Sequence, residues 1–200
     1  MTVGVVASRS KEDQFRSVYT RTFPSIVSYV RRRVTPGDSS ELDVTSEIFA
    51  VVWRRLDDLP PPPDDLLWIY GVARNCVARF HRDESRRMRL RTRVTSEPVA
   101  RPESDRAEET YEVVREAVAR LPETDREAIR LVHWEGLHHE EVATVLGLTP
   151  NAVELRLRRA RARLRRDLAA LLPEDVDVDV DVDVDDVKPH PRSHPIEGIE

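Results

Sequence analysis

Between Val153 and Arg166 the chain carries seven arginines, Arg156, Arg158, Arg159, Arg161, Arg163, Arg165 and Arg166, against a single acid, Glu154. Guanidinium groups at that density suit phosphate oxygens, which they meet with a planar, permanently charged fork of donors. At 100° per residue, Val153, Leu157, Ala160 and Leu164 share one side of a helix and should pack inward. Asn151, Leu155, Arg158 and Ala162 take the opposite side, flanked by Glu154 and Arg159. Arg156 and Arg163 lie further round, with Arg161, Arg165 and Arg166. Asn151, Glu154, Leu155, Arg156, Arg158, Arg159 and Arg163 are therefore the candidate contacts to duplex DNA. The arginines neutralise phosphates, Glu154 can accept from cytosine N4, and Leu155 can touch a thymine methyl. A basic helix alone is equally consistent with a solvated face.

The preceding residues favour the DNA reading. In Glu140-Glu141-Val142-Ala143-Thr144-Val145-Leu146 the apolar positions fall on one side of a short helix. Gly147 can take a positive φ and end it. Thr149 is a suitable N-cap and Pro150 a suitable first helical residue, so a second helix should run from 150 to about 168. Two short helices across a tight turn make a helix-turn-helix, whose second helix enters a major groove.

Other chemistries find little support. No nucleophile–base grouping, carboxylate pair or phosphate-cradling loop stands out among six glycines, so no catalytic residue, cofactor or small-molecule substrate is assigned. His190 and His194 sit among prolines, and His133, His138 and His139 lack ligand partners, so no metal site is assigned. The one cysteine, Cys76, cannot form an internal disulfide and reads as a small core residue.

Two hundred residues with 40% hydrophobic content suit one or two small domains. No segment is long enough to span a membrane, and Val3 to Ala7 is too short for a signal-peptide core, so a cytoplasmic protein without membrane insertion is expected. The net charge of −5 conceals an uneven distribution. Glu174 to Glu200 holds ten acidic and two basic residues, net −8, whereas residues 1–173 hold 30 basic and 27 acidic, net +3.

In chain order, residues 1–11 read as a flexible N-terminus. From Glu12 to Val34 the residues Phe15, Val18, Tyr19, Phe23, Ile26, Val27 and Val30 recur at helical steps; Pro24 suggests a break or a helix start there, and Arg31-Arg32-Arg33 a solvated last turn before the turn at 36–38. Glu41 to Leu59 carries a second stripe, Leu42, Val44, Ile48, Phe49, Val52, Trp53 and Leu56, in which Phe49 and Trp53 read as packing residues. After the prolines 60–63, an apolar run interleaved with arginine from Leu66 to Phe80 passes into His81-Arg82-Asp83-Glu84-Ser85-Arg86-Arg87; aromatics beside cations there can stack on unpaired bases. Residues 89–109 lose periodicity and read as a linker. Helix resumes from Thr110 to Leu121, stops at Pro122, restarts through Ala128, Ile129, Leu131, Val132 and Trp134, and turns at Glu135-Gly136. The alternating Asp-Val run at 175–186 mimics a strand by period, but its self-repelling face points to disorder. The fold expected is all-α: two small helical domains, 12–88 and 110–172, joined by a flexible linker, the second a helix-turn-helix, with a disordered acidic tail over 173–200.

Taken together, these segments resemble a bacterial RNA polymerase sigma factor of the sigma-70 family, in its extracytoplasmic-function (ECF) group, which keeps only the domains called region 2 and region 4. The resemblance covers about 12–87 and 110–168. Asp43-Val44-Thr45-Ser46-Glu47-Ile48-Phe49 with Trp53-Arg54-Arg55-Leu56 is similar to the family's polymerase-binding helix, Trp68-Ile69-Tyr70-Gly71-Val72-Ala73-Arg74-Asn75 to its segment that opens the −10 element, and Leu121-Pro122-Glu123, Glu135-Gly136-Leu137 and Glu140-Glu141-Val142-Ala143 to the start of region 4. It implies polymerase contacts at Asp43, Glu47, Phe49, Trp53 and Arg54, and −10 contacts at Trp68, Tyr70, Arg74, Asn75, Arg79, His81 and Arg82. It also implies a dissociable initiation subunit without an active site, whose partners are core RNA polymerase, promoter DNA and an anti-sigma factor. The chain departs from the family at Thr45 and Ser46, where an apolar residue and Gln are usual, at Glu154-Leu155, where Lys or Arg then Ser is usual, and at His138, where Ser often caps the helix. Two rivals remain: a helix-turn-helix regulator binding operator DNA without polymerase, and an adaptor that no longer reads DNA.

Overall fold

The amphipathic periods fold as seven α-helices in a computed structural model that describes residues 3–34, 40–91 and 106–169, with side chains over 11–34, 40–89 and 113–169. The helices are α1 (Val3–Arg31), α2 (Ser40–Arg54), α3 (Asp64–Arg91), α4 (Arg106–Ala119), α5 (Glu123–His133), α6 (His139–Leu146) and α7 (Pro150–Ala169), with a 3₁₀ turn at Leu56–Asp58. Among the described residues there is no strand, as the all-α expectation requires. The chain divides into two compact units, Met1–Glu97 and Pro98–Glu200. The turn at 36–38, residues 92–105 of the linker and the acidic tail lie outside the described residues.

In the first unit α1, α2 and α3 pack against one another. Ile26, Tyr29 and Val30 of α1 meet Val44, Ile48, Phe49 and Val52 of α2 and Ile69, Tyr70, Ala73, Cys76 and Val77 of α3, all buried. Each large apolar side chain removed from water there contributes about 1.5–3 kcal/mol. Asp65, in the first turn of α3, is also buried; Arg21 of α1 pairs with it, and its Oδ1 accepts from the Leu66 N–H at 2.9 Å. Cys76 is the core residue expected; burial and then the charge of Glu47 push its thiol up to about 11, which leaves it protonated and unreactive at neutral pH.

Four expectations are corrected here. Helix α1 begins at Val3 rather than near residue 12, because a helix already nucleated by its amphipathic body propagates cheaply through Val5, Val6, Ala7 and Ser8. It also runs through Pro24 without stopping. Pro24 and Thr20 are both exposed, so the Thr20 carbonyl that loses its helical donor can turn to water. Arg33 is not a solvated helix end: it is buried, with its guanidinium 3.5 Å from the Tyr29 ring centre and its Nη1 donating to the Tyr29 carbonyl at 3.1 Å. Leu42, placed on the apolar stripe of α2, is 70% exposed, because it lies in the first turn of the helix.

In the second unit α4, α5 and α6 pack on α7. Val153, Leu157, Ala160 and Leu164 are all buried, joined by Leu168, and they meet Ala117, Val118, Leu121, Ala128, Leu131, Val132, Val142, Ala143, Val145 and Leu146. Trp134 falls just past α5 and is exposed, with Arg130 5.3 Å from its ring centre, rather than continuing the apolar face.

Candidate nucleic-acid interface

The geometry between α6 and α7 follows residue by residue from local chemistry. Gly147 has φ +65°, the Leu148 N–H reaches the Ala143 carbonyl at 2.9 Å, and the Gly147 N–H reaches that of Thr144 at 3.3 Å. That pair of bonds is a Schellman closure, which satisfies carbonyls left open at the end of α6 and needs a left-handed residue where the glycine stands. Thr149 Oγ1 accepts from the Ala152 N–H at 3.3 Å and caps α7, with Pro150 at its first position. The start of α6, weakened on paper by His138, is held by Glu141, whose carboxylate accepts from the His138 N–H at 2.9 Å.

Helix α7 turns Asn151, Glu154, Arg158 and Arg159 to solvent, with Leu155 half-buried beside them. These five candidate residues share one accessible surface. Arg156 and Arg163 do not stand free with them. Asp125, on α5 and 6% exposed, accepts from Arg156 Nη1 at 2.9 Å and lies 3.6 Å from Arg163 Nη1. Arg161 is drawn inward too: its Nε and Nη2 are buried without a hydrogen-bond partner among the described residues. His133, at the end of α5, is exposed as a residue, yet partial desolvation of its imidazole, and then the charge of Arg161, lowers its pKa. Asp125 was missed in the sequence, where an acid in the first turn of a helix reads only as favourable to the helix dipole.

The first unit sorts its candidates in the same way. On α3, Asn75, Arg79 and Arg82, at steps of four and three, are exposed on one face with His81 alongside, and Arg74 is half-buried. Trp68 is half-buried with the Arg55 guanidinium 5.1 Å from its ring centre. Tyr70 is excluded from base stacking in this conformation: it is buried, its ring 5.3 Å from that of Tyr29. On α2, Leu42, Asp43, Ser46, Ala50, Trp53 and Arg54 form an exposed stripe. Phe49 is buried in a cluster with Phe15, Tyr19 and Phe23, as a packing residue should be, while Trp53 closes that cluster at its edge, 5.1 Å from Phe15 and 38% exposed. Glu47 and Arg79, assigned to different surfaces, pair with each other at 3.0 Å. Thr45 is buried, so its departure from the family pattern concerns packing rather than an outward contact.

A basic, exposed second helix held behind a Schellman turn defines a helix-turn-helix DNA-binding domain. Comparison with known proteins carries this further. The family model described as Sigma-70, region 4 matches residues 111–164. The RNA polymerase sigma factor SigZ of Bacillus subtilis is 31% identical over 69% of this chain and 77% of its own length. The Probable RNA polymerase sigma factor RfaY of Xanthomonas campestris is 30% identical over 71% of this chain, which spans only 37% of that longer relative. ECF sigma factors are among the other relatives. Among solved structures, the sigma factor RpoE in complex with the anti-sigma factor NepR from Bartonella quintana aligns over 79% of this chain and 98% of its own, with a TM-score of 0.58 at 20% identity, a likeness of fold. The chain belongs to the RNA polymerase sigma factor family, in its extracytoplasmic-function group.

Proposed function

We propose that this chain is a dissociable, non-enzymatic sigma subunit that works in the cytoplasm, binds core RNA polymerase and directs initiation at promoters with a particular −10 and −35 sequence. The observation that carries the proposal is the exposed surface of α7, with Asn151, Glu154, Leu155, Arg158 and Arg159 presented together behind a closed helix-turn-helix. Phosphate contacts fix the register of such a helix and side chains at base edges give specificity. Residues 110–172 then form the region 4-like domain and 12–88 the region 2-like domain, with 89–109 as linker and 173–200 as an acidic tail.

Within the first unit, the exposed stripe of α2 with Asp43, Trp53 and Arg54 is the proposed polymerase contact. Leu42 joins it on the strength of its exposure, and Glu47 and Phe49 support it from behind. Trp68, Arg74, Asn75, Arg79, His81 and Arg82 are the proposed −10 residues, since strand capture needs cations for phosphates and a flat surface for an unstacked base, each stacked base contributing about 1–3 kcal/mol. Tyr70 supports that face from the core. An anti-sigma factor is the proposed regulator, because the similar sigma factor of Bartonella quintana was captured with one.

The test is run-off transcription from a promoter library with purified core polymerase, with and without the chain. New discrete start sites sharing −10 and −35 sequences are expected. Absence of new starts, together with failure to co-purify with core polymerase, would transfer the assignment to an operator-binding regulator.

A further inference from the structure

We infer that Asp125 is an internal counter-charge to the DNA-reading helix, a positioning residue that withholds Arg156 and Arg163 from phosphates and so lowers affinity for DNA of the wrong sequence. The inference rests on the assignment of α7 as the DNA-facing helix and concerns how that helix divides its charge.

A carboxylate as buried as Asp125 must be compensated by cations, and it has two: Arg156, hydrogen-bonded at 2.9 Å, and Arg163, at 3.6 Å. The two arginines are seven residues apart on α7, two turns along the same side, and the one carboxylate reaches both. A phosphate that recruited either guanidinium would leave Asp125 buried with a weakened partner, and stranding a buried charge is costly. Phosphate contact therefore falls to cations that carry no such obligation. Arg158 and Arg159 fit that description: both are exposed and neither is in an ion pair with another described residue. The arrangement suits discrimination. Contacts to phosphate raise binding to every sequence alike, so a helix with seven arginines would hold any duplex tightly; pinning two of them leaves a larger share of the binding free energy to base edges.

The experiment uses the full chain and a labelled duplex of scrambled sequence, with binding followed by fluorescence anisotropy between about 50 and 200 mM salt. Each phosphate neutralised adds about 0.9 to the slope of log K against log salt. D125N keeps the shape and an acceptor for Arg156 but removes the charge. It should bind the scrambled duplex several-fold more tightly at low salt, with a slope steeper by about 0.9 to 1.8. The triple variant D125N/R156Q/R163Q should lose that gain. A loss of stability alone would weaken binding and could not steepen the slope, so an unchanged or shallower slope in D125N overturns the inference. A second measurement needs no variant: in ¹⁵N spectra of the unaltered chain, the Nε–H signals of Arg156 and Arg163 should hold their positions as duplex is added while that of Arg158 moves. Movement of Arg156 together with Arg158 also overturns it. R158Q/R159Q separates the two levels: if it neither weakens binding to the scrambled duplex nor flattens the slope, α7 is not the DNA-facing helix, whereas weaker binding or a flatter slope in R158Q/R159Q with no steepening in D125N refutes the role of Asp125 alone.

Discussion

Gly147→Ala isolates the backbone geometry of the helix-turn-helix from its packing. The glycine holds φ +65°, and a Cβ built on it would meet no atom within 4 Å, so the substitution introduces no clash. What remains is the conformational penalty of a left-handed L-residue, about 1–2 kcal/mol. Alanine also restricts the unfolded chain, which returns about 0.4–1 kcal/mol. The net destabilisation of the second unit is therefore about 1 kcal/mol, equal to about a fivefold rise in its opening equilibrium. Native-state hydrogen exchange on the full chain reads this directly: the slowest amides of α6 and α7 should exchange about fivefold faster, and those of α1 to α3 should not change. Gly147→Asn should lose less, because asparagine tolerates this region of backbone space better than alanine. Unchanged exchange in Gly147→Ala would mean that the turn does not need a left-handed residue in solution. A loss above about 4 kcal/mol would mean that the added methyl meets atoms which the structure places elsewhere.

Arg158→Ala should weaken −35 binding by about 1–3 kcal/mol if the guanidinium reads a base, and reduce the salt slope by about 1 if it touches a phosphate; promoter-binding titrations across salt distinguish the two. Glu154→Arg should change which −35 sequence is preferred, because it reverses the charge at an exposed position beside Arg158; an unchanged preference in a randomised −35 library would count against Glu154 as a reading residue. For His133, exposed as a residue, partial desolvation of the ring and the charge of Arg161 lower the folded pKa below 6.5, so between the two values the unfolded chain binds more protons than the folded unit. The stabilisation contributed by neutral His133 is complete above about pH 6.5 and declines as pH falls through that value. Urea melts of the second unit at pH 7.5 and 5.5 should show this loss, and His133→Gln should reduce it.

Residue types at short spacing made most of the second unit legible. Val153, Leu157, Ala160 and Leu164 could be placed inside because steps of four, three and four fix one face of any helix, and all four are buried. Gly147, Thr149 and Pro150 marked the turn because each answers a local backbone demand that no distant residue changes. The outward set of Asn151, Glu154, Leu155, Arg158 and Arg159 followed from the same wheel. Periodicity was weaker where helices end or bend: Leu42 fits the stripe of α2 yet faces solvent, and Pro24, a helix breaker by local rules, stands within α1 where the Thr20 carbonyl that loses its donor is open to water.

The chain by itself determined where helices form, which faces are apolar, where the tight turn falls and that the last helix is basic, since these depend on dihedral preferences and contacts within a few residues. Only the tertiary structure decided which charges remain free. Asp125 and Arg156 are 31 residues apart, and Glu47 and Arg79 are 32 apart; each pair meets only because separate helices pack. Tyr70 looks like a stacking residue until α1 sets Tyr29 against it. An arginine's sequence position states that it carries a charge, but whether that charge serves DNA or a buried carboxylate depends on which side chains the packing brings within about 4 Å.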